Sequence, residues 1–183
     1  TTVEVTAGSL RNSGLEHTLI DTPGVYSLIP LSDDERVTRD ILLRERPQAV
    51  VQVADAKNLA RSLVIALELG ELGLPSVLCL NMADEAESRG IVVDAARLAA
   101  ELGLPVVPTV ATKRTGLALL TQSVERAAVC TRTVEYPAHV EAAAAQVARL
   151  LPAGTLNPRG LAISFLGGAE DLPAALGLPA AEQ

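Results

Sequence analysis

The 183-residue chain is 49% hydrophobic, has a formal net charge of -7, and contains one Phe, two Tyr and no Trp. That length suits one ordinary domain, or one with a small appendage. An acidic chain with so few aromatics and no Lys/Arg run is a poor match for a nucleic-acid backbone or stacked bases, so nucleic acid is not expected as a partner. Cys79 and Cys130 lack metal-ligand spacing and read as reduced thiols of a cytosolic protein. No apolar run reaches the roughly 18 residues that span a bilayer, and no signal peptide is visible, so the chain itself is expected to be soluble. The first residue is Thr1 and not Met, which predicts a fragment or a processed chain.

Thr2 to Thr6 alternates with period two and is rich in β-branched residues, predicting a strand. Asn12-Ser13-Gly14 predicts a turn, from which residues 17–21 return as the second strand of a hairpin. An irregular apolar loop follows from Val25 to Pro30. Ser32-Asp33-Asp34-Glu35 has the pattern of a capping box: the Ser32 hydroxyl accepts from the third helical N–H and Glu35 reaches back. Its acids also suit the positive end of a helix, expected to run to about Arg46 and stop at Pro47. Ala49 to Ala54, interrupted only by Gln52, reads as a parallel strand buried on both faces. Leu59, Leu63 and Leu67 recur every four residues along a helix that ends near Gly70 or Gly73.

Val77 to Leu80 is the next buried strand. Asp94 opens a short helix carrying Leu98 and Leu102, and Gly103 ends it. Val106 to Val110 forms another strand, and Leu117, Leu120 and Val124 mark the helix after it. Strands alternating with helices predict an α/β fold with a mainly parallel sheet and helices on both faces, the hairpin adding one antiparallel edge pair. The character changes after Cys130. Residues 131–137 read as a linker, and 138–183 as the start of a small helical subdomain. Its helical segments are expected over 139–151, from Asn157-Pro158, and over 170–176, too little to bury a core alone.

Ligands of open α/β sheets bind beyond the carboxyl ends of the strands. Three polar motifs follow predicted strands, and they are expected to converge on one sheet edge: Asp21-Thr22-Pro23-Gly24, Asn81-Met82-Ala83-Asp84 and Ala111-Thr112-Lys113. An acid at a strand end followed by glycine offers an anion for a metal's water shell and a bare N–H for a phosphate oxygen. The same four residues also make an ordinary turn. For Asn81-x-x-Asp84 a definite chemistry is available. A carboxylate accepts two hydrogen bonds from guanine N1–H and its exocyclic amine, where adenine offers no donor at either position. Leaving a buried acceptor unpaired costs about 1–3 kcal/mol, so Asp84 would discriminate for guanine. Read alone, Asn-x-x-Asp is also a capped turn, and the arrangement of the three motifs favours the base-reading use. Asn81 is suited to tying neighbouring loops together, Ala111 and Thr112 to presenting N–H groups to the guanine carbonyl, and Met82 to lying along a purine face.

On these residues the chain resembles the cytosolic G domain of the bacterial ferrous iron transport protein B family. The matching stretches are Thr2 to Glu4, Asp21 to Leu28, Asp33 with Glu35, Val37, Arg39 and Asp40, Val53 to Ala56 with Asn58-Leu59, and Leu80 to Ala86. Arg89 to Ile91 and Pro108 to Lys113 with Gly116 match as well, so the resemblance covers roughly residues 1–130. Asn157-Pro158-Arg159 and Leu166 extend it faintly into a helical regulatory subdomain. Asn-Met-Ala-Asp, in place of the general Asn-Lys-x-Asp, is more specific to this family than to GTPases at large.

The resemblance implies a Ras-like, P-loop-NTPase-like fold binding GTP or GDP with Mg²⁺, residues 1–130 being the G domain. Thr1, Thr2 and Val3 would border the nucleotide, with the Thr2 hydroxyl on Mg²⁺. Asp21 would hold the metal through water, and Gly24 would donate to the γ-phosphate. Asn81 and Asp84 would read the base, and Ala111 to Lys113 would close over it. It further implies a membrane pore in the same polypeptide, placement at the cytoplasmic face of the cell's inner membrane, hydrolysis coupled to Fe(II) uptake, and a potassium ion near the phosphate loop. An oligomer is compatible with it.

Two features depart from the general pattern. No Gly-x-x-x-x-Gly-Lys-Ser/Thr occurs, since Lys57 and Lys113 are the only lysines. In the family that loop and its strand precede the switch threonine, so the 183 residues by themselves are expected to bind GTP poorly and to be inactive. Val25 follows Gly24 where many GTPases carry a glutamine that orients water; the family shares this, which implies slow intrinsic hydrolysis, and no catalytic residue is assigned. Two other readings compete. One is a translation-factor-like GTPase, disfavoured by the net charge of -7. The other is a non-catalytic α/β interaction module without a phosphate loop.

Overall fold

A computed structural model of the chain describes residues 5–12 and 15–178. Its contacts divide the chain into two compact units, Gln48–Glu135, and Thr1–Pro47 together with Tyr136–Gln183. The strands form two sheets, an antiparallel pair and a parallel sheet of three.

In the unit of residues 48–135, strands β3 (Val50–Asp55), β4 (Ser76–Asn81) and β5 (Val106–Pro108) pair in parallel with β4 in the middle. Asp55 lies opposite Asn81 and Leu80 opposite Pro108, so the three carboxyl ends share one edge. The run Ser76 to Leu80 is buried throughout, as a central parallel strand requires. Leu78 and Leu80 form the core with Ala54, Ala56, Ala86, Leu102 and Leu104. Helix α2 (Leu59–Leu72) lays Leu59, Leu63 and Leu67 on that core and ends at Gly73, whose φ of 76° suits a left-handed cap. Asp94 caps α4 (Ala95–Leu102) by accepting the Arg97 N–H, and Gly103 closes it with a φ of 71°. Helix α5 (Leu117–Val124) follows β5.

Three sequence expectations are corrected here. Strand β3 is not buried on both faces: Val53 is 66% exposed while Gln52 is buried. The polar side chain tolerates burial because its amide donates to the Ser62 carbonyl of α2 at 2.5 Å. The strand expected over 106–110 stops at Pro108, and Val110 instead bridges to Thr115 around a tight turn. A short helix, α3 (Ala83–Ser88), fills a stretch for which the sequence suggested only a motif.

In the other unit, β1 (Thr6–Asn12) and β2 (Leu15–Asp21) pair from Thr6 opposite Asp21 to Asn12 opposite Leu15. The hairpin is a sheet of its own, not the antiparallel edge of the parallel sheet. Of the strand expected over Thr2 to Thr6, Thr6 opens β1 and Val5 lies outside it; residues 2–4 lie outside the described residues, as do Ser13 and Gly14 of the expected turn. Ala7-Gly8-Ser9 has weak strand propensity, so pairing with β2, and not local preference, makes this segment extended. Helix α1 (Asp33–Glu45) starts as expected, with the Ser32 hydroxyl accepting the Glu35 N–H at 3.3 Å. The return arm differs from a capping box, because the Glu35 carboxylate accepts the N–H groups of Leu31 at 2.9 Å and Tyr26 at 3.4 Å. The Leu31 N–H is the main influence, and with the Tyr26 and Ser27 amides it holds the Glu35 carboxyl below its ordinary range despite burial.

The tail supplies α6 (Ala138–Ala148), α7 (Pro158–Leu166) and α8 (Leu172–Ala175). Ala144 of α6 packs on Ala162 and Ile163 of α7, with Tyr136, Val140 and Val147 around them. The Arg159 guanidinium lies 5.6 Å from the Tyr136 ring centre and bonds the Glu141 carboxylate. The tail also reaches α1. Arg39, only 1% exposed, donates to both oxygens of Asp171, at 2.8 and 2.9 Å, and to Asp40 at 2.7 Å. Burying a guanidinium is tolerable only when paired so fully.

The Arg39 guanidinium brings the Asp171 carboxyl from an ordinary 3.8 down to about 2. A carboxyl depressed on folding contributes stability that is complete above about pH 4 and lost as the pH falls towards 2. Asp171→Asn is therefore expected to flatten the acid side of the stability profile and, because the Asp171 side chain is 39% exposed and solvent screens the pair, to cost about 1 kcal/mol in urea unfolding at pH 7. The cost stays below that of a fully buried pair because Asp40 still holds Arg39.

Candidate functional site

The carboxyl ends of β3, β4 and β5 carry a connected set of polar residues. Strand β4 ends at Asn81, and Met82 then turns the chain at φ 59° so that α3 starts at Ala83. A left-handed non-glycine residue is uncommon and marks an abrupt change of direction. Asn81 Oδ1 accepts the Ala111 N–H at 3.0 Å and the Thr109 hydroxyl at 3.3 Å. Thr109 is 1% exposed, and its hydroxyl also lies 3.2 Å from Cys79 Sγ. Burial raises the Cys79 thiol above its ordinary range, so it stays a neutral core group.

Ala111–Lys113 makes one 3₁₀ turn, closed by hydrogen bonds between Val110 and Thr115 and by Arg114 at φ 55°. Gly116, at φ 80°, lets the chain pass close beneath: a Cβ there would stand 2.3 Å from the Pro108 carbonyl oxygen. Asn81 thus ties the two motifs together, as the sequence suggested. One detail is corrected. The Ala111 N–H, expected to face a base carbonyl, is committed to Asn81.

Both oxygens of Asp84 are engaged: Oδ1 accepts the Glu85 N–H at 3.0 Å, and Oδ2 accepts from Lys113 Nζ at 2.6 Å. The Lys113 ammonium draws the Asp84 carboxyl below its ordinary range and is itself raised in return. Lys57, which the sequence reading left without a role, enters from the end of β3. Its ammonium lies 2.5 Å from Glu85 Oε2, 3.1 Å from Met82 Sδ and 3.7 Å from Asp55 Oδ1. Asp55 in turn caps the turn Ala56–Asn58 by accepting the Lys57 N–H at 2.9 Å. The overlooked signal was the distribution of lysine: the chain has 15 Lys and Arg together, and its two lysines both flank Asn81–Asp84.

Asp21, Thr22, Pro23 and Gly24 belong to the other unit. Asp21 is the last residue of β2 and is exposed. The Pro23 carbonyl accepts the Thr38 hydroxyl of α1 at 3.2 Å, anchoring the turn to the helix that follows. A Cβ on Gly24 would meet open space, so packing does not impose glycine there. Thr1, Thr2 and Val3 lie outside the described residues. Among the described residues there is no cluster of three His, Cys, Asp or Glu able to hold a metal by protein ligands alone. No described helix is long and apolar enough to cross a membrane.

Comparison with known proteins gives these features a context. The family model for ferrous iron transport protein B matches residues 1–124. A Porphyromonas gingivalis fusion of Fe(2+) transport protein A with the Fe(2+) transporter FeoB is 46% identical over 119 residues, covering 64% of this chain and 14% of that protein. The Escherichia coli K12 Fe(2+) transporter FeoB is 37% identical over 129 residues, covering 68% and 17%. The chain therefore spans less than a fifth of these curated relatives. Among solved structures, the cytosolic domain of the T. maritima FeoB iron transporter in its GMPPNP form matches with a TM-score of 0.83 and 32% identity, over 100% of this chain and 76% of that one. The L. pneumophila cytosolic domain matches with a TM-score of 0.82 and 28% identity, over 98% and 77%.

Asn81→Ala removes the acceptor shared by Thr109 and Ala111. It is expected to destabilise the protein by about 1–3 kcal/mol and to raise amide exchange across residues 109–115. Unchanged exchange there would mean that the loop is held by other contacts.

Proposed function

The chain belongs to the ferrous iron transport protein B family, and from that membership we propose that it is the guanine-nucleotide switch domain of a ferrous iron transporter. The observation that carries the reading is the joining of Asn81, Asp84 and the Ala111–Lys113 turn at one sheet edge. A carboxylate with two in-plane oxygens suits the N1–H and exocyclic amine of guanine, and Met82, 38% exposed beside it, suits the purine face. The T. maritima relative solved in its GMPPNP form supports a guanine nucleotide as the ligand.

Asp21 fits the metal role in its chemistry: it is a hard, exposed oxygen donor at a strand end, suited to the water shell of Mg²⁺. The ion would supply charge neutralisation at the phosphates. Thr2 completes the proposed ligand set, and Gly24 is the proposed donor to the terminal phosphate. The Pro23–Thr38 bond makes α1 the element that would respond to a change at Asp21–Gly24. A potassium ion near the phosphates, a membrane pore in the same polypeptide and iron as its cargo complete the reading, with this domain at the cytoplasmic face. Residues 1–130 would then form the G domain, 131–137 a linker and 138–183 part of the regulatory helical subdomain.

The given sequence holds no Gly-x-x-x-x-Gly-Lys-Ser/Thr, so the tests belong on the full-length protein. Asp84→Asn is expected to shift binding from guanine towards xanthine nucleotides by at least tenfold, because its amide donates to the added carbonyl. An unshifted preference would remove Asp84 from base recognition. Asp21→Ala is expected to weaken the Mg²⁺ dependence of GTP binding by a similar factor, and an unchanged Mg²⁺ titration would refute that assignment.

A further inference from the structure

The carboxylate proposed to read guanine is already bonded within the chain. Asp84 Oδ2 takes the Lys113 ammonium at 2.6 Å and Oδ1 takes the Glu85 N–H at 3.0 Å. Guanine needs the same two oxygens in one plane. Oδ1 has a second lone pair to offer, and a main-chain N–H is a modest competitor. Oδ2 keeps a second lone pair too, but its occupant is a full charge at 2.6 Å, a far stronger rival for that oxygen than a main-chain N–H, so the ion pair and the base contend there.

The two lysines of the site differ in how firmly they are held. The Lys57 side chain is 11% exposed and lies against Glu85, Met82 and Asp55 together. The Lys113 side chain is 66% exposed, and among the described residues its ammonium is held by Asp84. It sits at the end of a single 3₁₀ turn on a flexible four-carbon stem. Lys57 is built in; Lys113 is poised to leave.

We propose that Lys113 is an internal competitor for the base-reading oxygen of Asp84, lowering affinity for guanine nucleotides and hastening their release. The inference rests on the reading of Asp84 given above. A lysine suits this role better than an arginine. Its monodentate point charge yields one oxygen to one incoming donor, whereas a guanidinium fork grips both carboxylate oxygens. The competition falls equally on every ligand that needs the carboxylate, so Lys113 tunes strength and lifetime and leaves the choice of base to Asp84.

The experiment is GDP titration and release of a fluorescent GDP analogue from the full-length protein, comparing wild type with Lys113→Met and Lys113→Arg. Methionine keeps the apolar stem and removes the charge. It is expected to tighten GDP about two- to fivefold, the range for releasing an exposed ion pair, and to slow release by a similar factor. Arginine is expected to move both quantities the other way. Raising the ionic strength should shrink the gap between wild type and Lys113→Met, because the exposed pair is screened. Lys113→Met binding GDP no more tightly than wild type overturns the proposal. Asp84→Asn separates the two claims. If it shifts base preference while Lys113→Met fails to tighten GDP, only the competition is lost; if it leaves base preference unchanged, the reading beneath it is lost as well.

Discussion

One acceptor atom, Asn81 Oδ1, governs the geometry of the site. It ends the central strand of the parallel sheet and receives both the Ala111 N–H and the buried Thr109 hydroxyl. The Thr109 hydroxyl is buried, and leaving a buried donor unmet costs about 1–3 kcal/mol, whereas Ala111 is exposed and its bond serves mainly to place the turn. The 3₁₀ turn at Ala111–Lys113 has one turn's worth of internal bonds and no buried side chain. Its position is borrowed from the strand through that asparagine. Lys113 meets Asp84 because Asn81 sets where the turn begins.

Helix α1 performs an equivalent service in the other unit. Its first two turns gather the preceding loop, with Glu35 on the Tyr26 and Leu31 amides and Thr38 on the Pro23 carbonyl. One residue further on, Arg39 buries its charge between Asp40 and Asp171. The same helix thus touches the turn after Asp21 and the start of α8, with adjacent residues committed to each. A fully buried guanidinium tolerates little displacement of its partners, since a lost bond leaves charge in a medium that cannot solvate it. Arg39 thereby ties α1 to the start of α8, while Asp40 holds the same guanidinium from within α1.

Much of this was legible in the chain before any coordinates. Ser32 as a cap, Gly73 and Gly103 as helix ends, and the buried run at Val77–Leu80 follow from local chemistry that acts within a few residues. The Asn81 tie to the next loop was readable from its place among three polar motifs after predicted strands, since read alone an asparagine there suits a capped turn equally well. What escaped was set by distance along the chain. Nothing near Arg39 announces a partner at Asp171, and nothing near Lys57 announces Glu85. The burial of Gln52 depended on a carbonyl ten residues away in the next helix. The hairpin's place escaped for a related reason: Thr6–Asn12 is extended by its partner strand and not by its own residues.

The concentration of both lysines at the site has a chemical consequence. The other basic side chains of the chain are arginines, which do not acylate under mild conditions, and two histidines. An amine-reactive reagent or an acetyl donor therefore finds just two side-chain amines along these residues. Lys57 is shielded by three neighbours, whereas Lys113 projects two-thirds into solvent. Acylation at Lys113 would erase the charge that pairs with Asp84. In this segment, a modification indifferent to sequence becomes selective for the edge proposed to read the nucleotide.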